Sequence, residues 1–91
     1  MTTANVLRLI EWQHHRCALT GRALTPETAS LDHIVPVRNG GEHRIENTQV
    51  LHRNVNRAKT TMTTDEFVQL CQEVVEHASK PNVREVPHAL L

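Results

Sequence analysis

Apolar side chains recur at helical spacing in two segments of the 91-residue chain. The first runs from Ala4 to about His15, where the apolar positions alternate with charged and polar ones and predict an amphipathic helix. The second runs over 64–78, where Thr63 is a typical N-cap residue and acidic side chains occupy the first turn. Apolar residues then follow at helical spacing: Phe67, Leu70, Val74 and Val75. We therefore expect one helix near each end of the chain.

The middle of the chain lacks this period and predicts shorter elements. The segment that ends in 29–31 and continues into the apolar run 34–37 predicts a short strand, interrupted by Pro36. Residues 47–51 alternate polar and apolar positions and predict a second strand. Residues 52–59 are polar without a helix breaker and permit a short helix.

Turn signals separate these elements. Gly21 closes a predicted turn at 17–21, and Asn39-Gly40-Gly41 marks the polar segment 38–46 as a loop. Pro81 and Pro87 bracket an irregular tail over 80–91. With no internal repeat, residues 1–91 are expected to form a single domain with a small core.

Composition narrows the class of protein. Trp12 and Phe67 are the only large aromatic residues, so aliphatic side chains must form the core and a dense antiparallel sandwich is disfavoured. No apolar stretch reaches membrane-spanning length, and the N-terminus lacks signal-peptide features. Cys17 and Cys71 are too few for a disulfide scaffold. We expect a soluble cytoplasmic protein without a membrane partner and with free thiols.

Charge is unevenly distributed although the net charge is zero. Residues 1–60 carry eight Lys or Arg against five Asp or Glu, whereas residues 61–91 carry two against five. Eight of the ten basic residues are arginine, whose guanidinium makes forked contacts to phosphate. The first two thirds of the chain could therefore face a polyanion, although a modest basic face is also ordinary solvated surface. Seven histidines add candidate chemical groups.

One set of polar residues stands out: Asp32 and His33 at the end of the first strand, Asn47 at the start of the second, and Asn56 in the following helix. Two strands and a helix would bring them together. Adjacent side chains on a regular strand point to opposite faces. Asp32 and His33 can share a site only if the chain leaves strand geometry there, which Pro36 makes feasible.

These residues lie in an ordered series of short motifs that resembles the core of the HNH endonucleases, the His-Me finger or ββα-metal nucleases. The motifs are Leu31-Asp32-His33-Ile34-Val35-Pro36, Asn39-Gly40-Gly41, Glu46-Asn47-Thr48-Gln49-Val50-Leu51 and Asn56-Arg57-Ala58-Lys59. Their order and spacing match through about residues 17–70. Because the third motif position is Asn56, the chain resembles an HNN variant.

The resemblance implies an α+β fold in which a ββα-metal core is flanked by an N-terminal and a C-terminal helix. It also implies a metal-dependent endonuclease that hydrolyses DNA phosphodiester bonds by a one-metal mechanism. Asp32 and Asn56 would bind the metal, His33 would be the general base, and Asn47 would be structural. Nicking versus double-strand cutting, DNA versus RNA preference, sequence specificity, biological role and oligomeric state, monomer or dimer, stay open.

The chemistry of these side chains agrees with such roles. A carboxylate and an amide oxygen, from Asp32 and Asn56, are hard donors that suit one Mg²⁺ or Mn²⁺. The imidazole of His33 can take a proton from water near neutral pH. The amide of Asn47 can donate and accept at once, tie the preceding loop to its strand and orient His33.

Other interpretations remain. Arg57 and Lys59 either contact phosphate or complement the end of their helix, and Arg38 is a further candidate for nucleic-acid binding. His43 and His52 are expected to be surface or packing residues. The alternative function is a nucleic-acid-binding or regulatory protein that retains the HNH fold without cutting. A toxin-type nuclease would need an immunity protein with an acidic surface.

The chain departs from many HNH relatives at the positions of two Cys-x-x-Cys zinc knuckles. The corresponding residues are Cys17 and Thr20, then His52 and Val55. A closed structural zinc site needs four ligands, so structural zinc is not expected, although Cys17 and His52 with His14 could form a weak site. We expect packing to replace the metal, with Leu51 and Val55 meeting Phe67, Leu70 and Val74.

Overall fold

The computed structural model describes residues 1–81 and 86–90, which form an α+β fold. A two-stranded hairpin and the helix that follows it are flanked by one helix on each side, as predicted. The elements are α1 (Thr3–Trp12), β1 (Ala29–His33), β2 (Thr48–His52), α2 (Arg53–Lys59) and α3 (Thr64–Ala78), with 3-10 turns at Val37–Asn39, Ile45–Asn47 and His88–Leu90.

The hairpin pairs β1 and β2 antiparallel, with Ala29 opposite His52 and His33 opposite Thr48. The prediction that β1 continues through 34–37 is wrong. The Ile34 N–H still donates to the Asn47 carbonyl at 2.9 Å, but the Asn47 side chain then bonds both backbone groups of Val35. Strand pairing therefore stops immediately after His33, and a 3-10 turn follows Pro36.

Gln13, the C-cap residue of α1, bonds the outer edge of β2. The Gln13 side chain donates to the Val50 carbonyl at 2.9 Å and accepts from the Val50 N–H at 3.0 Å. These bonds satisfy backbone groups of an edge strand that would otherwise be open to another chain. The helix ends three residues earlier than predicted, because His14 and His15 both adopt φ of 56°.

The core lies between β2, α2 and the turn at 17–21. Cys17, Leu51 and Val55 are buried together, and Leu19, Leu24 and Phe67 pack against them. The predicted turn is present, with the Gly21 N–H donating to the Cys17 carbonyl at 2.9 Å. Val55 is a core residue, as expected.

Helix α3 begins at a capping box: the Thr63 hydroxyl accepts from the Glu66 N–H, and the Glu66 carboxylate accepts from the Thr63 N–H. Phe67, in its first turn, packs against the core. The expectation that Leu70 and Val74 cover the core is wrong, because they are 45% and 57% exposed. Helical spacing predicted the apolar face correctly but could not show that α3 leaves the core beyond Phe67.

The predicted irregular tail is described only in part. Residues 82–85 lie outside the described residues, and His88–Leu90 forms a short 3-10 turn. In the described ranges no helix combines the length and apolar character needed to cross a membrane.

Candidate active site

Asp32 lies near the end of β1, directly opposite Gln49 of β2, and is only 7% exposed. The Gln49 amide donates to its Oδ2 at 2.9 Å. The Lys59 ammonium, from the last turn of α2, lies 3.1 Å from both carboxylate oxygens. The sheet and the helix thus fix the carboxylate of Asp32 from two directions.

Lys59 is the clearest correction to the sequence analysis. Its side chain is fully buried, so contact with a DNA phosphate is excluded in this structure. Besides the Asp32 carboxylate, its ammonium donates to the His33 carbonyl at 3.0 Å. Lys59 therefore holds both the side chain of Asp32 and the backbone of His33.

Asn47 holds the loop that follows His33. Its amide nitrogen donates to the carbonyls of Val35 and Glu42, each at 2.9 Å, and its amide oxygen accepts from the Val35 N–H at 3.0 Å. A Cβ at Gly41 would overlap the Val35 carbonyl, so only glycine lets the loop pass this close. Asn47 ties the loop to its strand, and any influence on His33 passes through the backbone.

His33 hydrogen-bonds to His43, which was expected to be a surface or packing residue and is exposed. The His33 Nε2 and His43 Nδ1 atoms are 2.8 Å apart. The ring centroids are separated by 5.1 Å and the ring planes are tilted by 51°. His43 lies in an irregular loop without periodicity, and only the unusual number of histidines pointed toward it.

The Asn56 side chain links α2 to β1 by hydrogen bonds. Its amide nitrogen donates to the Ser30 hydroxyl at 2.6 Å and to the Leu31 carbonyl at 3.0 Å. Because a carbonyl can only accept, the amide orientation is determined, and the side-chain Oδ1 of Asn56 receives no hydrogen bond from the described residues. That oxygen is available to a cation.

Asp32 and His33 open onto one cavity of about 230 Å³. Arg38, from the 3-10 turn after Pro36, lines the same cavity together with Thr60 and Thr61. Arg57 is exposed and does not line it. The structure thus brings the predicted metal ligand Asp32, the predicted base His33 and one of the predicted arginines together. Asn56, the second predicted ligand, does not line this cavity and instead bonds Ser30 and Leu31.

The oxygen donors fit a hard divalent cation better than a zinc ion. Each carboxylate oxygen of Asp32 has lone pairs beyond those used by Gln49 and Lys59. Within residues 1–81 and 86–90 no three His, Cys, Asp or Glu side chains cluster to hold a metal. Because the Lys59 charge offsets that of Asp32, a cation here would need phosphate oxygens and water to complete its coordination.

Cys17 is a buried free cysteine in the turn at 17–21. Burial raises the pKa of the Cys17 thiol, but hydrogen bonds from the Thr20 side chain and from backbone groups, including that of His52, outweigh burial and hold the pKa below its ordinary value. The thiol packs in the apolar core beside Leu51 and Val55. That the chain carries no structural zinc stays a prediction.

Residues 15–62 match the family model for HNH endonucleases, and this range covers more than half of the chain. The chain belongs to the HNH endonuclease family. The resemblance noted from the motifs is confirmed, and the hairpin followed by α2 is compatible with the ββα-metal fold of HNH proteins. No curated protein matches the chain.

Membership in the HNH family supports a nuclease or nucleic-acid-binding function. HNH nucleases act on DNA and typically use divalent metal ions. The matched range contains Asp32, His33, Asn47 and Asn56 together with the loop residue His43.

Proposed function

We propose that this HNH protein is a metal-dependent endonuclease that hydrolyses DNA phosphodiester bonds with His33 as the general base. The observation that carries the proposal is the cavity shared by Asp32, His33 and Arg38. A phosphate in this cavity would meet a hard oxygen ligand, a proton acceptor and a cationic side chain together.

In this mechanism the ring of His33 takes the proton of the water that attacks phosphorus. General-base catalysis of this kind contributes about 10²- to 10⁴-fold in rate. Asp32 and Asn56 would hold one Mg²⁺ or Mn²⁺, which when bound stabilises charge on the phosphate and the leaving oxygen. Arg38 adds a forked contact to phosphate, and Arg57 is a second candidate contact farther along the DNA.

Lys59 and Asn47 support the mechanism without touching substrate. Lys59 keeps the Asp32 carboxylate and the His33 carbonyl in fixed positions, and Asn47 anchors the loop that closes one side of the site. A site assembled from residues held by buried hydrogen bonds is pre-organised for reaction.

A plasmid-cleavage assay tests the proposal. Supercoiled DNA should become nicked or linear with Mg²⁺ or Mn²⁺, and should stay intact with excess EDTA. Equal cleavage in EDTA would contradict the metal role.

The alternative is a nucleic-acid-binding HNH protein without activity. One observation favours it: the Lys59 ammonium already neutralises the charge of the Asp32 carboxylate without a metal. DNA binding in a gel-shift assay with no cleavage under any metal condition would support that alternative.

Calorimetric titration with Mn²⁺ tests the ligands separately. Asp32→Ala and Asn56→Ala should each weaken binding, whereas Asn47→Ala should act only through loop order. Asn54→Ala is a matched control, because Asn54 is an exposed asparagine of the same helix. Unchanged affinity in both ligand variants would reject the site.

A further inference from the structure

We infer that His43 is a positioning residue for the general base, a role that rests on the proposed nuclease function. The His33 Nε2 and His43 Nδ1 atoms lie at hydrogen-bond distance, 2.8 Å. The motifs shared with HNH proteins do not include His43, and the sequence analysis assigned it no chemical work.

The short distance requires that one ring nitrogen carries the proton and the other accepts it. If His43 donated from Nδ1, a neutral His33 would carry its own proton on Nδ1 and would have no free lone pair for water. If His33 donates from Nε2, its Nδ1 is unprotonated and can act as the base. Acceptance by His43 therefore selects the reactive tautomer of His33.

The loop holds His43 in position for this contact. Asn47 donates to the carbonyl of Glu42, the residue before His43, and also bonds Val35, two residues after His33. One amide thus fixes the backbone beside both histidines. The tilted rings and their 5.1 Å centroid separation agree with an edge-to-edge hydrogen bond rather than with stacking.

The proton balance of the step follows from this tautomer. The attacking water gives one proton to His33 Nδ1 while its oxygen forms a bond to phosphorus and the bond from phosphorus to the leaving oxygen breaks. Solvent protonates the leaving oxygen. The resulting imidazolium keeps its Nε2–H donated to His43, so the ring does not reorient during the step.

Steady-state kinetics on plasmid DNA test the role. His43→Ala should lower kcat by about 10- to 100-fold with KM unchanged, because a misplaced reactive group costs rates of this order. His43→Asn places an amide oxygen near the position of Nδ1 and should recover part of the loss. His77→Ala, at an exposed histidine of α3, is the matched control. Wild-type kcat in His43→Ala, equal defects in the Ala and Asn variants, or a change in KM alone would overturn the inference.

Nitrogen-detected NMR of the imidazoles gives a readout that does not require activity. His33 should be in the Nε2–H tautomer in the wild-type protein and in His43→Asn, and should become a mixture of tautomers in His43→Ala. An unchanged His33 tautomer in His43→Ala would overturn the inference. If the wild-type protein failed to cleave DNA, the proposed function would fail, and the tautomer measurement would still decide whether His43 positions His33.

Discussion

Replacing Lys59 with methionine tests whether the buried ion pair organises the HNH motif. Methionine has a similar length but no charge, so Asp32 would stay 7% exposed without its cationic partner. Removing one partner of a buried pair costs about 3–5 kcal/mol. At about 0.05–0.15 kcal/mol per residue, a chain of 91 residues has a free energy of unfolding of about 5–14 kcal/mol. Lys59→Met should therefore lose a large fraction of the stability.

Urea denaturation and thermal melts measure this loss. We expect the melting temperature of Lys59→Met to fall by more than about 10 °C. Lys80→Met, at an exposed lysine after α3, should change stability by less than about 0.5 kcal/mol. The double variant Lys59→Met/Asp32→Leu leaves no unpaired buried charge and should recover part of the stability that Lys59→Met loses. A loss below about 1 kcal/mol in Lys59→Met alone would refute the reasoning.

Two further predictions concern the loop and α3. Gly41→Ala should destabilise the protein, because the added Cβ overlaps the Val35 carbonyl, and thermal melts should show a loss that the exposed control Ala18→Gly does not reproduce. The pKa of Glu66 lies below its ordinary value because the Thr63 backbone and side chain hydrogen-bond to its carboxylate. The stabilisation is present above the unfolded pKa, near 4.5, and is lost as pH falls through the lower folded pKa. Stability curves of Glu66→Gln should therefore decline less on acidification, and curves parallel to wild type would argue against the capping role.

The sequence predicted those helices and strands whose determining contacts join residues close together in the chain. The start of α3 was predictable because Thr63 and Glu66 form the capping box within one turn. The hairpin and α2 followed from short-range patterns in the same way. The order of Asp32, Asn47 and Asn56 also indicated a shared site, since each residue has a short motif around it.

Contacts between distant segments were not predictable in this way. The burial of Lys59 depends on the register that sets Asp32 opposite Gln49 and on the rotation of α2 against the sheet. The contact of His43 depends on the path of an irregular loop, for which no periodic pattern exists. Neither the register nor the loop path is encoded by residues near the side chain concerned.

The most direct test of the account is the cleavage rate of His33→Ala measured with bound Mn²⁺. His33 is not a proposed metal ligand, so the variant should keep the wild-type melting temperature and Mn²⁺ affinity. The account predicts a rate about 10²- to 10⁴-fold below that of the wild-type protein. Cleavage by His33→Ala at the wild-type rate would contradict it.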